Sequence, residues 1–219
     1  MLDNLKKYNI LLASNSPRRK ELLTGLGVDY NVVVLPDVDE SFPIELKGPD
    51  IPLYIAKKKA EAYKGILQSY KNVVSPTLIC DNVDKNSPII ENGSAQPLII
   101  TADTIVWLND EVLGKPKDQS DAKAMLRQLS GKTHQVITGV CLTTTEWQKS
   151  FVTVSEVRFA LLTEEEITYY ISHFSPLDKA GSYGVQEWIG FIGVESIKGS
   201  YFNVMGLPVQ RLYKELCQL

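Results

Sequence analysis

The densest chemistry in this chain lies in the run LLASNSPRRKELL, residues 11–23. The apolar stretch YNILLA (8–13) reads as a buried strand and SNSP as a polar turn. A helix then opens with Arg18 and Arg19 in its first turn. That end of a helix carries partial positive charge and unpaired N–H groups, so two guanidiniums added there oppose the macrodipole and make a corner that attracts anions. Strand, loop, helix N-terminus and paired arginines together describe a phosphate site. The same residues also suit an ordinary surface helix, with Ser16 as N-cap, Pro17 at the first helical position and Leu22, Leu23 and Leu26 as its buried stripe.

Further candidates lie downstream. Asp103 interrupts the apolar run LIITADTIVWL, where a buried carboxylate costs several kcal/mol unless it is paired or metal-bound. It is either a strand-end cap or a residue with a chemical task. Asp37, Asp39 and Glu40 follow the second strand, and three acids in four positions either bind a divalent cation through oxygen or form a solvated loop. Lys57, Lys58 and Lys59 spread over about 200° of a helix, so at most one or two face a single site. Lys115 and Lys117 flank Pro116 in a tight basic loop. Tyr183 and Gln186 sit in SYGVQ, where Gly181 and Gly184 permit either a plain turn or a close backbone approach to a ligand. His134 and His173 have no second metal ligand nearby, and His134 reads as a strand residue with an ordinary hydrogen bond. Neither a Walker loop nor G-x-G-x-x-G occurs, so phosphate would be held by side-chain cations and a helix N-terminus.

These residues need elements to position them. Strands are expected at YNILLA, 29–34, 98–108, HQVITGVCLTTT, SFVTVSEVRFALL and FIGVESIKG, with EVLGKP a short strand or a turn. Helices are expected at SPRRKELLTGLG, closed by Gly25 or Gly27, and at IPLYIAKKKAEAYKGIL. Others follow at 120–131 with Ser120 as N-cap, after Thr163 with Glu166 completing a capping box, and at LPVQRLYKELCQ. DKAGSYGVQ is irregular. Residues 68–97, rich in Ser, Asn and Pro, form a surface insertion in which VVSPTLIC is a short edge strand. The order of elements predicts an α/β fold around one long twisted mixed sheet.

Composition narrows the function. The chain has 219 residues, and a net charge of −3 argues against general nucleic-acid affinity, so any polyanion site is a local cluster of cations. No run of about 18 apolar residues is present, which argues against a membrane span. The N-terminal apolar core is too short for a secretion signal. Cys80, Cys141 and Cys217 show neither metal-ligand spacing nor a disulfide framework, and a reducing cytoplasm is expected.

Taken in order, ILLASNSPRRKELL, the VDES loop, AKKKA, TADTIV, LGKPKD, MLRQLSGKTHQVITGV, DKAGSYGVQ and IKGSYFNVMGLPVQRL resemble the segments of the Maf proteins. Those are nucleoside triphosphate pyrophosphatases, also called septum formation inhibitors. The resemblance spans nearly the whole chain outside the insertion. DKAGSYGVQ followed by GSYFNVMGLP looks like the branch acting on dTTP and UTP. Glu187 departs from the pattern, which usually has glycine there.

The resemblance implies a single domain over 1–219, two-lobed with a central cleft, similar to the inosine triphosphate pyrophosphatases. It implies that Asp103 is the proton acceptor and that Arg18, Thr104 and Gln186 set base preference. Ser14, Arg19, Glu40, Lys59 and Lys115 match the other polar positions of the pocket, and Lys117 lies in the matching basic loop. Mg²⁺ or Mn²⁺ would be held by Glu40 and Asp103, and a homodimer is expected. Two other functions compete: the same chemistry on a modified or purine triphosphate such as 7-methyl-GTP, or a nucleotide-binding regulator of cell division with little catalysis. The enzymatic reading requires Arg18, Lys59 and Lys115 to converge on Asp103.

Overall fold

A seven-stranded mixed sheet organises the computed structural model, which describes residues 2–72 and 95–219. The expected edge strand VVSPTLIC and Cys80 lie outside the described residues. Its strands are β1 (Tyr8–Leu12), β2 (Asn31–Val32), β3 (Gln96–Leu108), β4 (Glu111–Leu113), β5 (Thr133–Thr143), β6 (Gln148–Phe159) and β7 (Val194–Lys198). The order is β2-β1-β3-β5-β6-β7, with β4 also on β3. β1 runs parallel to β2 and β3, whereas β3–β5, β5–β6, β6–β7 and β3–β4 are antiparallel.

The helices are α1 (Pro17–Gly25), α2 (Asp50–Ala62), α3 (Lys64–Asn72), α4 (Gln119–Leu129), α5 (Glu164–Phe174), α6 (Trp188–Gly193), α7 (Tyr201–Met205) and α8 (Val209–Cys217). Alternation along the strands assigns them to two faces. Ile10, Leu12, Leu98 and Ile100 pack with Leu22 and Leu23 of α1 and Leu212 and Leu216 of α8. Leu11 and Ile99 turn the other way, toward Tyr63 and Leu67, and Ile105 and Ile137 meet Ile51 and Ile55 of α2. A fourth cluster joins α4, α5 and α6 to the far half of the sheet through Val106, Val136, Val157 and Phe159.

Local signals explain most boundaries. The Ser16 hydroxyl accepts from the Arg19 N–H with Pro17 at the first position, and Gly27 takes φ +69° beyond the helix end. Thr163 and Glu166 make the expected capping box on α5. Other expectations are corrected. The α4 cap is Asp118, whose carboxylate accepts from Asp121 N, and Ser120 is already inside the helix. The long amphipathic stretch breaks at Tyr63, whose hydroxyl donates to Val33 O, giving α2 and α3. The second strand shrinks to two residues because β1 offers it pairing only at Leu11 and Leu12. Phe191–Gly193 belong to α6, and the last strand begins at Val194.

The sheet splits where the candidate residues gather. β1 pairs with the first part of β3 and ends opposite Ile100, and β4 pairs with β3 only from Val106 onward. Along that edge, residues 101–105 face a gap that the loop after β1 borders, with Ala13 N donating to Ile100 O at 3.0 Å. The gap opens beyond the carboxyl end of a parallel strand, the position where open α/β sheets bind ligands.

Candidate active site

Residues 101–105 alternate across the sheet, so the gap presents different chemistry on each face. On the α2 face, Thr101 donates to Ala56 O at 2.7 Å and the Asp103 carboxylate accepts from Lys59 at 2.7 Å. On the opposite face, Thr104 lies 3.0 Å from Thr138 and accepts from Arg19 at 3.2 Å. A cleft of about 900 Å³ wraps this broken edge and is lined from both faces.

Lys59 is the centre of the charge arrangement. Its ammonium donates to Asp103 Oδ1 at 2.7 Å and meets Glu40 Oε1 at 2.8 Å. Lys115 approaches the other Glu40 oxygen at 3.6 Å. Lys59 and Asp103 are each only 9% exposed, so the pair is shielded from water and weakly screened. Burial would raise the Glu40 carboxyl, but Lys59 and Lys115 outweigh it and hold that carboxyl below its ordinary value. The neighbouring acids go elsewhere. Asp39 accepts from Lys58 at 2.6 Å and from Ser41, which push it down to about 2. Asp37 lines the cleft at φ +51°.

The two arginines play different parts. Arg18 lines the cleft and pairs with Asp178 at 3.3 Å. Arg19 is a clamp: it donates to Gly206 O and Ala102 O at 2.9 Å each, to Thr104 Oγ1 at 3.2 Å and to Ser14 Oγ at 3.4 Å. It thereby ties the loop after β1, strand β3 and the turn after α7 together. Burial lowers its pKa, while the Asp103 charge opposes that; a guanidinium stays protonated all the same.

Gln186 lines the far wall, and its Oε1 is buried without a hydrogen-bond partner. Such an acceptor is costly when empty and calls for a donor on a ligand. Gly181 and Gly184 serve the protein's own packing: a Cβ would meet Val106 Cγ2 at 2.8 Å and Glu187 Cδ at 2.7 Å. Lys117, Lys57 and Lys58 do not line the cleft. Lys179 and Asp178 do, although neither was among the residues expected there. Their signal was the charged pair opening the irregular DKAGSYGVQ segment. His134 has the ordinary partner expected, with Nε2 2.8 Å from the Tyr183 hydroxyl.

Arg18, Lys59, Lys115 and Asp103 thus line one cleft, and comparison with known proteins gives the family. A model of the Maf family, described as Maf-like protein, matches residues 9–219. The chain belongs to the Maf family. A relative from Bacteroides fragilis named dTTP/UTP pyrophosphatase is 60% identical over the full length of both chains. One of the same name from Flavobacterium psychrophilum is 43% identical, covering 93% of this chain and 91% of its own. A solved HAM1 protein from Coxiella burnetii covers 97% of this chain and all of its own, at 13% identity and a TM-score of 0.46. In this Maf protein, no group of three or more His, Cys, Asp or Glu among the described residues is placed to hold a metal. Asp103 and Glu40 nevertheless both reach one cation, the Lys59 ammonium. Two carboxylates around a cation, completed by phosphate oxygens and water, are a donor set that suits Mg²⁺.

Proposed function

We propose that this Maf protein hydrolyses dTTP and UTP to the monophosphate and pyrophosphate. The observation that carries the reading is the Asp103–Lys59–Glu40 array at the sheet gap, ringed by Arg18 and Lys115. The names of relatives at 43–60% identity over 93% or more of this chain support the choice of substrate.

A nucleoside triphosphate carries close to four negative charges, which repel an incoming nucleophile. Arg18, Lys59 and Lys115 offset that charge on binding, and the leaving pyrophosphate needs them most as charge builds on it. Asp103 orients the water and accepts its proton as the oxygen bonds to the α-phosphorus and the bond to the bridging oxygen breaks. An ordinary aspartate, at about 3.9, is a weak base for bulk water. Asp103 and Glu40 are the residues that would hold Mg²⁺ or Mn²⁺, which when bound supplies the neutralisation and water acidification that make such a base sufficient. To bind phosphate, Lys59 and Lys115 exchange a carboxylate for it, and this frees Glu40 oxygens. Ser14, Arg19 and Thr104 shape the pocket through the clamp. Gln186 Oε1 accepts from the imide N–H shared by thymine and uracil, a donor that cytosine lacks.

We further read the protein as a single cytoplasmic domain with 68–97 as an insertion, working as a homodimer on free nucleotides. Among the described residues no helix is long and apolar enough to cross a membrane. Pyrophosphate release from a panel of triphosphates, with Mg²⁺ and with excess EDTA, tests the proposal. Metal-dependent release from dTTP and UTP in preference to CTP and 7-methyl-GTP is expected. Binding without turnover would leave only a nucleotide-binding regulator.

A further inference from the structure

Gln186 owes its position to something behind the cleft wall. The turn that presents it runs from Gly184 to Glu187, closed by Glu187 N donating to Gly184 O at 3.0 Å. The Tyr170 hydroxyl on α5 joins both ends of that turn. It accepts from Gly184 N at 3.0 Å and donates to Glu187 Oε2 in a short hydrogen bond. The other Glu187 oxygen meets Lys179 at 3.1 Å, Lys179 meets Asp178 at 2.7 Å, and Asp178 meets Arg18 at 3.3 Å. Tyr170 is fully buried and Lys179 is 8% exposed. Neither tolerates an unpaired polar group, so Glu187 satisfies both. Burial, and then the Glu187 charge, raise the Tyr170 hydroxyl pKa, keeping it a proton donor at any working pH. Glu187 itself does not line the cleft.

We propose that Glu187, held by Tyr170 and Lys179, is a positioning residue for base selection: it fixes the 184–187 turn so that Gln186 meets the pyrimidine edge. The inference rests on the reading of Gln186 as the base-contacting residue. A side chain placed even slightly wrong loses the contact, and among the described residues the turn is braced by side chains only through Tyr170 and Lys179.

The test is steady-state kinetics of the full-length protein on dTTP and CTP, with melting curves, for E187A, E187Q, Y170F, Q186A and Q186A/E187A. E187A and Y170F are expected to raise KM for dTTP by about tenfold and to narrow the dTTP/CTP ratio, with kcat changed less than about threefold. E187Q, which still accepts from Tyr170, is expected to recover most of the loss. In the Q186A background, E187A should leave the ratio where Q186A put it, because both changes act through one contact. Folded E187A and Y170F with wild-type KM and ratio would overturn the inference, as would independent multiplication of the Q186A and E187A effects. Should E187A fail to fold, Y170F, which removes one oxygen, decides. A Q186A variant with an unchanged ratio removes the base-contact reading and this inference with it. A shifted ratio in Q186A alone removes only the inference.

Discussion

At the level of single residues, the site is a set of charges already paired with one another. Lys59 sits between Asp103 and Glu40, Lys115 leans on Glu40, and Arg18 leans on Asp178. Substrate binding is thus an exchange of partners, and each residue has two tasks. Asp103→Asn keeps an oxygen acceptor for Lys59 but no longer accepts a proton. It should lower kcat by a factor on the order of 10² to 10⁴ in a protein that melts near wild type, read as pyrophosphate release. Near-wild-type turnover would remove Asp103 from the chemistry. Lys59→Met strips the shared cation from two carboxylates. It should raise KM for dTTP and also weaken folding, because a buried charge that loses its partner costs about 3–5 kcal/mol. Much of this was legible in the sequence. Asp103 stood out because a carboxylate interrupted an apolar strand, and Gln186 because a polar residue followed a glycine-containing turn. Arg19 was legible as a cation but not as a clamp, since its acceptors Ala102 and Gly206 are remote backbone carbonyls with no side-chain signature.

The elements matter through how closely they approach. Helix α2 lies on the sheet where small residues allow it: Ala56 and Ala60 pack with Cys141, and a Cβ at Gly139 would sit 2.4 Å from Pro52 O. That contact sets the height of Lys59 above Asp103. Gly139→Ala must push α2 outward or strain β5. It should cost about 1–3 kcal/mol in urea unfolding and lower kcat/KM for dTTP although no cleft residue has changed. Unchanged kinetics would show that the helix height is not critical. The helices themselves were readable from local capping signals, as at Ser16 and Thr163. The break at Tyr63 and the short α7 were not, because the first falls at a residue whose hydrogen-bond partner, Val33, is 30 positions away and the second spans only five residues.

For the molecule as a whole, pH stability has a marked internal contributor. His134 is 1% exposed, packed edge-on against Phe159 and Tyr183, and burial pushes it down to about 4 from 6.5. Between those values the unfolded chain binds the proton and the folded chain does not. Stability is therefore full above about pH 6.5 and falls as pH drops toward 4, by up to about 3 kcal/mol. Urea unfolding from pH 7 to 4.5 should show this slope, and His134→Gln should flatten it even if it lowers stability overall. An unaltered slope in the variant would assign the acid sensitivity to other groups.

Local chemistry in the chain was enough to define most of the alternating elements, the caps at Ser16 and Thr163, the family and cleft residues such as Asp103, Lys59 and Gln186, since each leaves a signature within a few neighbouring positions. Which charges meet was decided only in three dimensions. Lys59 and Asp103 are 44 residues apart, Arg18 and Asp178 are 160 apart, and Glu187 reaches back to Tyr170 across a turn. Such pairings depend on where β1 stops along β3 and how near α2 can come, and these are properties of packed surfaces that no short stretch of sequence encodes.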